Sequence, residues 1–134
     1  MESMEARMVK LYARNNNHVA LHAIPGHFAT SHSHINFYID MTSLKTRANE
    51  AQEVAKSLAG DYVNSTVVDT IVCMDGTEVV GAYLAQEFEK RGFRNTNLHD
   101  TIYVVTPEYN ANNQLIFRDN TIPAIKGKNV ILLL

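Results

Sequence analysis

Apolar residues recur along this chain with two periods, and the change from one to the other marks out its elements. Val19 to Ile24 is β-compatible and reaches Pro25-Gly26, a pair that signals a turn. Beyond it Ile35, Phe37 and Ile39 alternate with Asn36, Tyr38 and Asp40, the period-2 pattern of a half-buried strand. The period then lengthens. Leu44, Ala48, Ala51, Val54 or Ala55, and Leu58 fall three or four apart, predicting a helix with Ser43 at its N-cap and Gly60 at its end. Val67 to Cys73 is short and β-branched, as a buried parallel strand requires. A second helix is predicted from about Thr77 to Arg91. Val80, Leu84 and Phe88 supply its core stripe, Gly81 and Ala85 permit close packing, and Lys90-Arg91 before Gly92 suit its C-terminus.

Thr101 to Thr106 predicts another strand, and Asn129 to Leu134 a last, buried one. Between them, residues 107–127 are polar and Asn-rich, which reads as a mobile loop or flap hairpin. Strand, helix, strand, flap, strand behind a small β-containing entry is an α/β pattern, mainly parallel sheet flanked by helices. It divides the chain into an N-terminal hood, 1–41, and a core, 42–134. The pattern looks unfinished, because ligands in open parallel sheets sit beyond the carboxyl ends of the strands and the last strand has no loop after it.

Composition narrows the function classes. The 134 residues carry 12 Lys+Arg and 14 Asp+Glu, a formal charge of −2 that argues against a nucleic-acid binder. One cysteine, Cys73, excludes an intramolecular disulfide framework and a Cys-rich zinc site. No apolar run approaches the roughly 20 residues that span a bilayer, and the first ten residues lack the apolar core of a signal peptide. The expectation is a cytoplasmic, reducing address.

The densest chemistry lies where a strand turns through Cys73-Met74-Asp75-Gly76-Thr77 into a helix. Free backbone N–H groups and the positive end of a helix make such a turn an anion site. Gly76 allows a phosphate to approach the backbone, and Thr77 can cap the helix while donating its hydroxyl. Asp75 and Glu78 oppose a bare phosphate by like-charge repulsion, a conflict that a bridging divalent cation relieves. Cys73 has no base partner in sequence, so apolar filling outweighs a nucleophilic role. Arg118 is the cation of the flap, with Lys126 and Lys128 at its base.

His27, His32 and His34 cluster in GHFATSHSH. On a strand, His32 and His34 point to one face and could share a metal, though plain surface histidines are the stronger reading. The chain has no G-x-x-x-x-G-K-[ST], G-x-G-x-x-G or H-E-x-x-H, which lowers P-loop, Rossmann and zincin readings. Asp75-Gly76-Thr77 resembles the end of the D-x-D-G-T signature of aspartate-nucleophile phosphatases, but Cys73 stands where their attacking Asp would be.

Four segments in order, PGHFATSHSHINFYID, DTIVCMDGTEVVGAYLA, TIYVVTPEYN with QLIFRDN, and KGKNVILLL, resemble type I phosphoribosyltransferases, most of all the orotate phosphoribosyltransferase-like proteins. That resemblance spans nearly everything from Pro25 onward. It implies transfer of a phosphoribosyl group from 5-phosphoribosyl 1-diphosphate (PRPP) to a nucleobase or orotate, with Mg²⁺ and release of pyrophosphate. Residues Cys73, Met74, Asp75, Gly76 and Thr77 would then form the pyrophosphate turn, with a cis peptide expected at Met74-Asp75. Residues 107–127 would be the loop closing over PRPP, carrying Arg118. Ser31, Ser33, Asn36 and Tyr38 would contact the base, and the chain would form a homodimer.

Two departures temper the implied activity. The family's acidic, Thr-Gly-containing loop for the ribose 5-phosphate does not follow Val130 to Leu134, and Asp75 stands where orotate enzymes carry a basic residue. The expectation is therefore an incomplete phosphoribosyltransferase fold, inactive over these 134 residues. A non-catalytic module sensing PRPP or a nucleotide is the alternative, and a metal-dependent hydrolase built on the histidines a third reading.

Overall fold

A computed structural model describes residues 3–96 and 101–134. Its elements fall into two parts. A short helix α1 (Met4–Arg7) precedes three strands, β1 (Val9–Tyr12), β2 (Ala20–Ala29) and β3 (His34–Asp40), which pair in that order as an antiparallel sheet. Then come α2 (Thr42–Thr46), α3 (Ala48–Tyr62), β4 (Thr70–Cys73) and α4 (Glu78–Arg91). They are followed by β5 (Tyr103–Val105), a hairpin of β6 (Glu108–Tyr109) and β7 (Leu115–Ile116), a 3-10 turn at Ile122–Ala124, and β8 (Val130–Leu133). Strands β5, β4 and β8 form a parallel sheet with β4 in the centre. This is a mixed α/β architecture, an N-terminal antiparallel sheet beside a small parallel sheet flanked by helices. Among the described residues, no helix is long and apolar enough to cross a membrane.

The core forms where β4 meets the helices. Val68, Ile71, Cys73 and Phe88 are fully buried together with Ala55 and Ala59 of α3. The buried stripe of α3 is all alanine, Ala51, Ala55 and Ala59, so the small side chains let α3 and α4 approach closely. Gly81 serves the same end on the sheet side, because a Cβ there would collide with Cys73 Sγ. Removing that methyl is what seats α4 on β4.

A buried carboxylate ties the sheet together. Asp69 is 0% exposed, immediately before β4. Its Oδ1 accepts from the Thr96 N–H at 2.5 Å, and its Oδ2 from Thr96 Oγ1 at 2.7 Å, Asn129 N at 2.8 Å and Asn129 Nδ2 at 2.9 Å. Asn129 leads into β8, so one side chain ties the start of β4 to its neighbour and to Thr96. On the face away from α4, the Thr70 hydroxyl donates to the Ala124 carbonyl and anchors the segment entering β8.

Several predicted boundaries move. Arg47 is extended (φ −84°, ψ 118°) and splits the first predicted helix into α2 and α3. Ser43 therefore lies inside α2 rather than capping the helix, and Asp40 Oδ1 accepts from the Thr42 N–H at 2.9 Å at that entry instead. Gly60 does not end α3, which runs to Tyr62 with Val63 N donating to Ala59 O at 2.9 Å. Pro25-Gly26 is not a turn between strands. Strand β2 continues to Ala29, and the irregularity becomes a bulge, since Pro25 faces Phe37 while Phe28 faces Ile35. The second helix behaves as expected, ending at Gly92 in the left-handed region (φ +77°).

Within the polar segment, β6 and β7 form a hairpin, one of the two forms expected there. Asn110 Oδ1 accepts from Asn112 N at 3.0 Å and Gln114 N at 2.9 Å, and Asn110 N donates to Gln114 O at 3.0 Å. Asn110 closes its turn.

Candidate functional site

The turn between β4 and α4 sits at the carboxyl end of the central strand of a parallel sheet, where ligand crevices form in open α/β sheets. Asp75 and Gly76 both adopt positive φ, +49° and +79°. Thr77 N donates to Met74 O at 3.1 Å, closing a four-residue turn of the kind that Asp-Gly favours. Glycine takes that conformation without strain, whereas Asp75 takes it at some cost. The described residues contain no cis peptide, so the one expected at Met74-Asp75 is absent and the chain turns there through a left-handed Asp75 instead.

The rest of the turn is held from both sides. Met74 N donates to Leu133 O at 2.9 Å, and Thr77 Oγ1 to Met74 O at 2.7 Å and Leu133 O at 3.2 Å, joining the turn to the end of β8. Thr77 occupies the N-cap position of α4 but makes no side-chain cap there, since its hydroxyl is turned back toward those carbonyls. From α2, Lys45 Nζ donates to the Asp75 carbonyl at 2.9 Å. Asp75 and Gly76 are exposed, Met74 half-buried and Thr77 buried. The result is an accessible turn with one ammonium beside it, two exposed carboxylates, Asp75 and Glu78, and a first helical turn that no side chain caps.

Cys73 does not share in that chemistry through its thiol. Burial pushes its pKa up to about 11, the nearby Glu78 charge adds to the rise, and the Thr77 hydrogen bond only partly opposes it. At neutral pH the side chain is a small apolar filler against Gly81.

The other sequence candidates lie outside this turn. Arg118 is exposed and engaged by Glu108 across the hairpin, Nε to Oε1 at 2.8 Å. Ser31 and Ser33 belong to the turn joining β2 to β3. There Thr30 Oγ1 accepts from Ser33 N at 2.9 Å, and Thr30 N donates to Ser33 O at 2.7 Å. Asn36 and Tyr38 are exposed on β3, the Tyr38 ring resting 5.7 Å from that of Phe28. His34 meets His27 rather than His32, with Nε2 of His27 2.8 Å from Nδ1 of His34. No group of three or more His, Cys, Asp or Glu among the described residues could hold a metal.

Two important residues carry no role in the sequence reading. Lys45 reaches a turn thirty positions away, and no local signal announces that. Asp69 did have a signal: a charge inside an apolar, β-branched run must find partners if the run is buried.

Comparisons of the chain with protein-family models, with curated proteins and with solved structures find no match.

Proposed function

We propose that this chain is part of a phosphoribosyltransferase-like core and that its β4–α4 turn takes the diphosphate end of PRPP. The observation that carries the reading is the turn itself. It is tight, exposed, placed at the carboxyl end of the central parallel strand, and accompanied by the Lys45 ammonium and the uncapped start of α4. Supporting it is the order of parts, a β hood, then strand and helix, then a hairpin between two strands of the parallel sheet.

Mg²⁺ fits this donor set. Asp75 and Glu78 offer exposed carboxylates at the turn, and Mg²⁺ is commonly held by one or two carboxylates together with substrate phosphates rather than by an all-protein cage. When bound, it supplies charge neutralisation to the departing pyrophosphate. The chain's own part is positioning: backbone amides and Lys45 orient the diphosphate, and the 107–127 hairpin with Arg118 closes over it. Ser31, Ser33, Asn36 and Tyr38 of the hood face the acceptor base, a nucleobase or orotate. Release of Arg118 from Glu108 accompanies closure.

For these 134 residues the reading predicts binding of PRPP without turnover. It also predicts a homodimer, since β8 pairs with β4 on one side and exposes Val130 and Leu132, the kind of strand that seeks a second partner. Calorimetric titration of the chain with PRPP and Mg²⁺ tests the reading. Saturable, Mg²⁺-dependent binding weakened about tenfold or more by Lys45→Ala supports it, as loss of a charged hydrogen-bond donor should. No binding overturns it, and base-dependent pyrophosphate release overturns the expected inactivity.

The alternative of a non-catalytic PRPP- or nucleotide-sensing module uses the same turn. It is favoured if the complete gene product binds PRPP with Mg²⁺ and still turns over no base.

A further inference from the structure

The hood brings two imidazoles together at a place the transferase reading does not use. His27 lies in the bulge of β2, where Gly26 and His27 together stand against Asn36, and His34 opens β3 opposite Ala29. Their ring centroids are 4.9 Å apart with the planes inclined by 57°. Nε2 of His27 and Nδ1 of His34 converge to 2.8 Å, and both side chains are exposed.

The two ring nitrogens are aimed at each other and share one hydrogen, and a metal ion that takes the place of that hydrogen would find half of a site there. Across a tetrahedral Zn²⁺ with bonds of about 2.0–2.1 Å, two imidazole nitrogens stand roughly 3.3 Å apart, so a small side-chain rotation admits an ion between them. The backbone supports that geometry. His34 is on a paired strand, and His27 is aimed by a bulge, a device that redirects a side chain without freeing it. The hydrogen bond between the rings is weak at an exposed site where water can replace it, so it offers little resistance to an entering ion.

We propose that His27 and His34 form a two-histidine site for a borderline transition-metal ion, Zn²⁺ or Cu²⁺, with water completing its coordination. His32 is not a ligand. It is two residues from His34, but its backbone N–H is drawn into the Thr30 turn at 3.3 Å, and no third ligand joins the pair among the described residues. The site is independent of PRPP and of the β4–α4 turn.

Titration of the full chain with Zn²⁺ by calorimetry and with Cu²⁺ by electron paramagnetic resonance tests this. The expected result is one ion per chain with two nitrogen donors in the Cu²⁺ spectrum. Even altering a hydrogen-bond partner of a ligand costs 10–100-fold in metal affinity, so His27→Ala and His34→Ala should each weaken binding by at least about tenfold. His32→Ala should leave it unchanged. Circular dichroism of each variant confirms that the hood stays folded. Wild-type binding that survives His27→Ala, falls with His32→Ala, or is absent altogether overturns the proposal.

Discussion

The central strand of the parallel sheet and the outer strand of the hood sheet treat their apolar residues in opposite ways. In the parallel sheet, all four residues of β4 are buried, and even its flanking carboxylate, Asp69, is closed off from water. In the hood sheet every residue of β1 is exposed, and Leu11, Tyr12, Phe37 and Ile39 are each more than half exposed. Strand β4 is defined by packing and by a satisfied buried acid, β1 chiefly by its backbone ladder to β2. The difference separates what holds the molecule together from what it presents. Interior polar groups in the core must be paired because water cannot reach them, whereas the hood can leave histidines, serines and a tyrosine exposed to solvent.

The largest break in that contrast should come at Asp69. Asp69→Ala removes the acceptor of the four hydrogen bonds described above and strands donors of Thr96 and Asn129, so it should cost about 3 kcal/mol or more in a urea melt. The same residue gives the core a pH signature. Burial raises its pKa, but the Asn129 and Thr96 hydrogen bonds outweigh burial and hold it well below 3.8. A carboxylate whose folded pKa is depressed stabilises the fold fully above its unfolded pKa and loses that contribution as pH falls toward the folded one. Stability should therefore decline below about pH 4, with a shallower slope in Asp69→Asn, as urea midpoints between pH 2 and 7 would report.

A smaller effect is expected where α4 rests on β4. Gly81→Ala drives a methyl into Cys73 Sγ and should destabilise by about 1–3 kcal/mol, the usual range for overpacking. Cys73→Ala opens space at that spot. A double-mutant cycle should therefore recover part of the loss, and strict additivity would show that the contact is not the cause.

The smallest effects should come from the hood. Phe37→Thr and Ile39→Thr exchange exposed apolar residues for another β-former and should change the melt by no more than about 0.5 kcal/mol. A loss comparable to Gly81→Ala would show that this face is covered in solution, and would move the contrast between the sheets from folding to association.

Legibility follows the same divide. Helix α4 was readable nearly to its ends, because Val80, Leu84 and Phe88 repeat at helical spacing and Gly92 stops it. The buried strand β4 and the turn at Asp75-Gly76 were likewise local patterns, one apolar run and one dipeptide with a strong conformational preference. The helix before them was misjudged at both ends, since the break at Arg47 and the passage through Gly60 answer to neighbours rather than to local propensity. Pro25-Gly26 misled for a related reason: a dipeptide that usually turns a chain can also sit in a bulge when strands on both sides supply the pairing.

By itself the sequence determined the periodic elements, the apolar choice at each core position and the tight turn, because each depends on interactions within a few residues. Tertiary structure alone decided that Lys45 meets Asp75, that Asp69 gathers Thr96 and Asn129, that Arg118 is held by Glu108, and that His34 meets His27 rather than His32. Those are pairings across chain separations of seven to sixty positions, and no local energy term distinguishes them. They exist because strand register and helix packing bring distant residues to hydrogen-bonding distance.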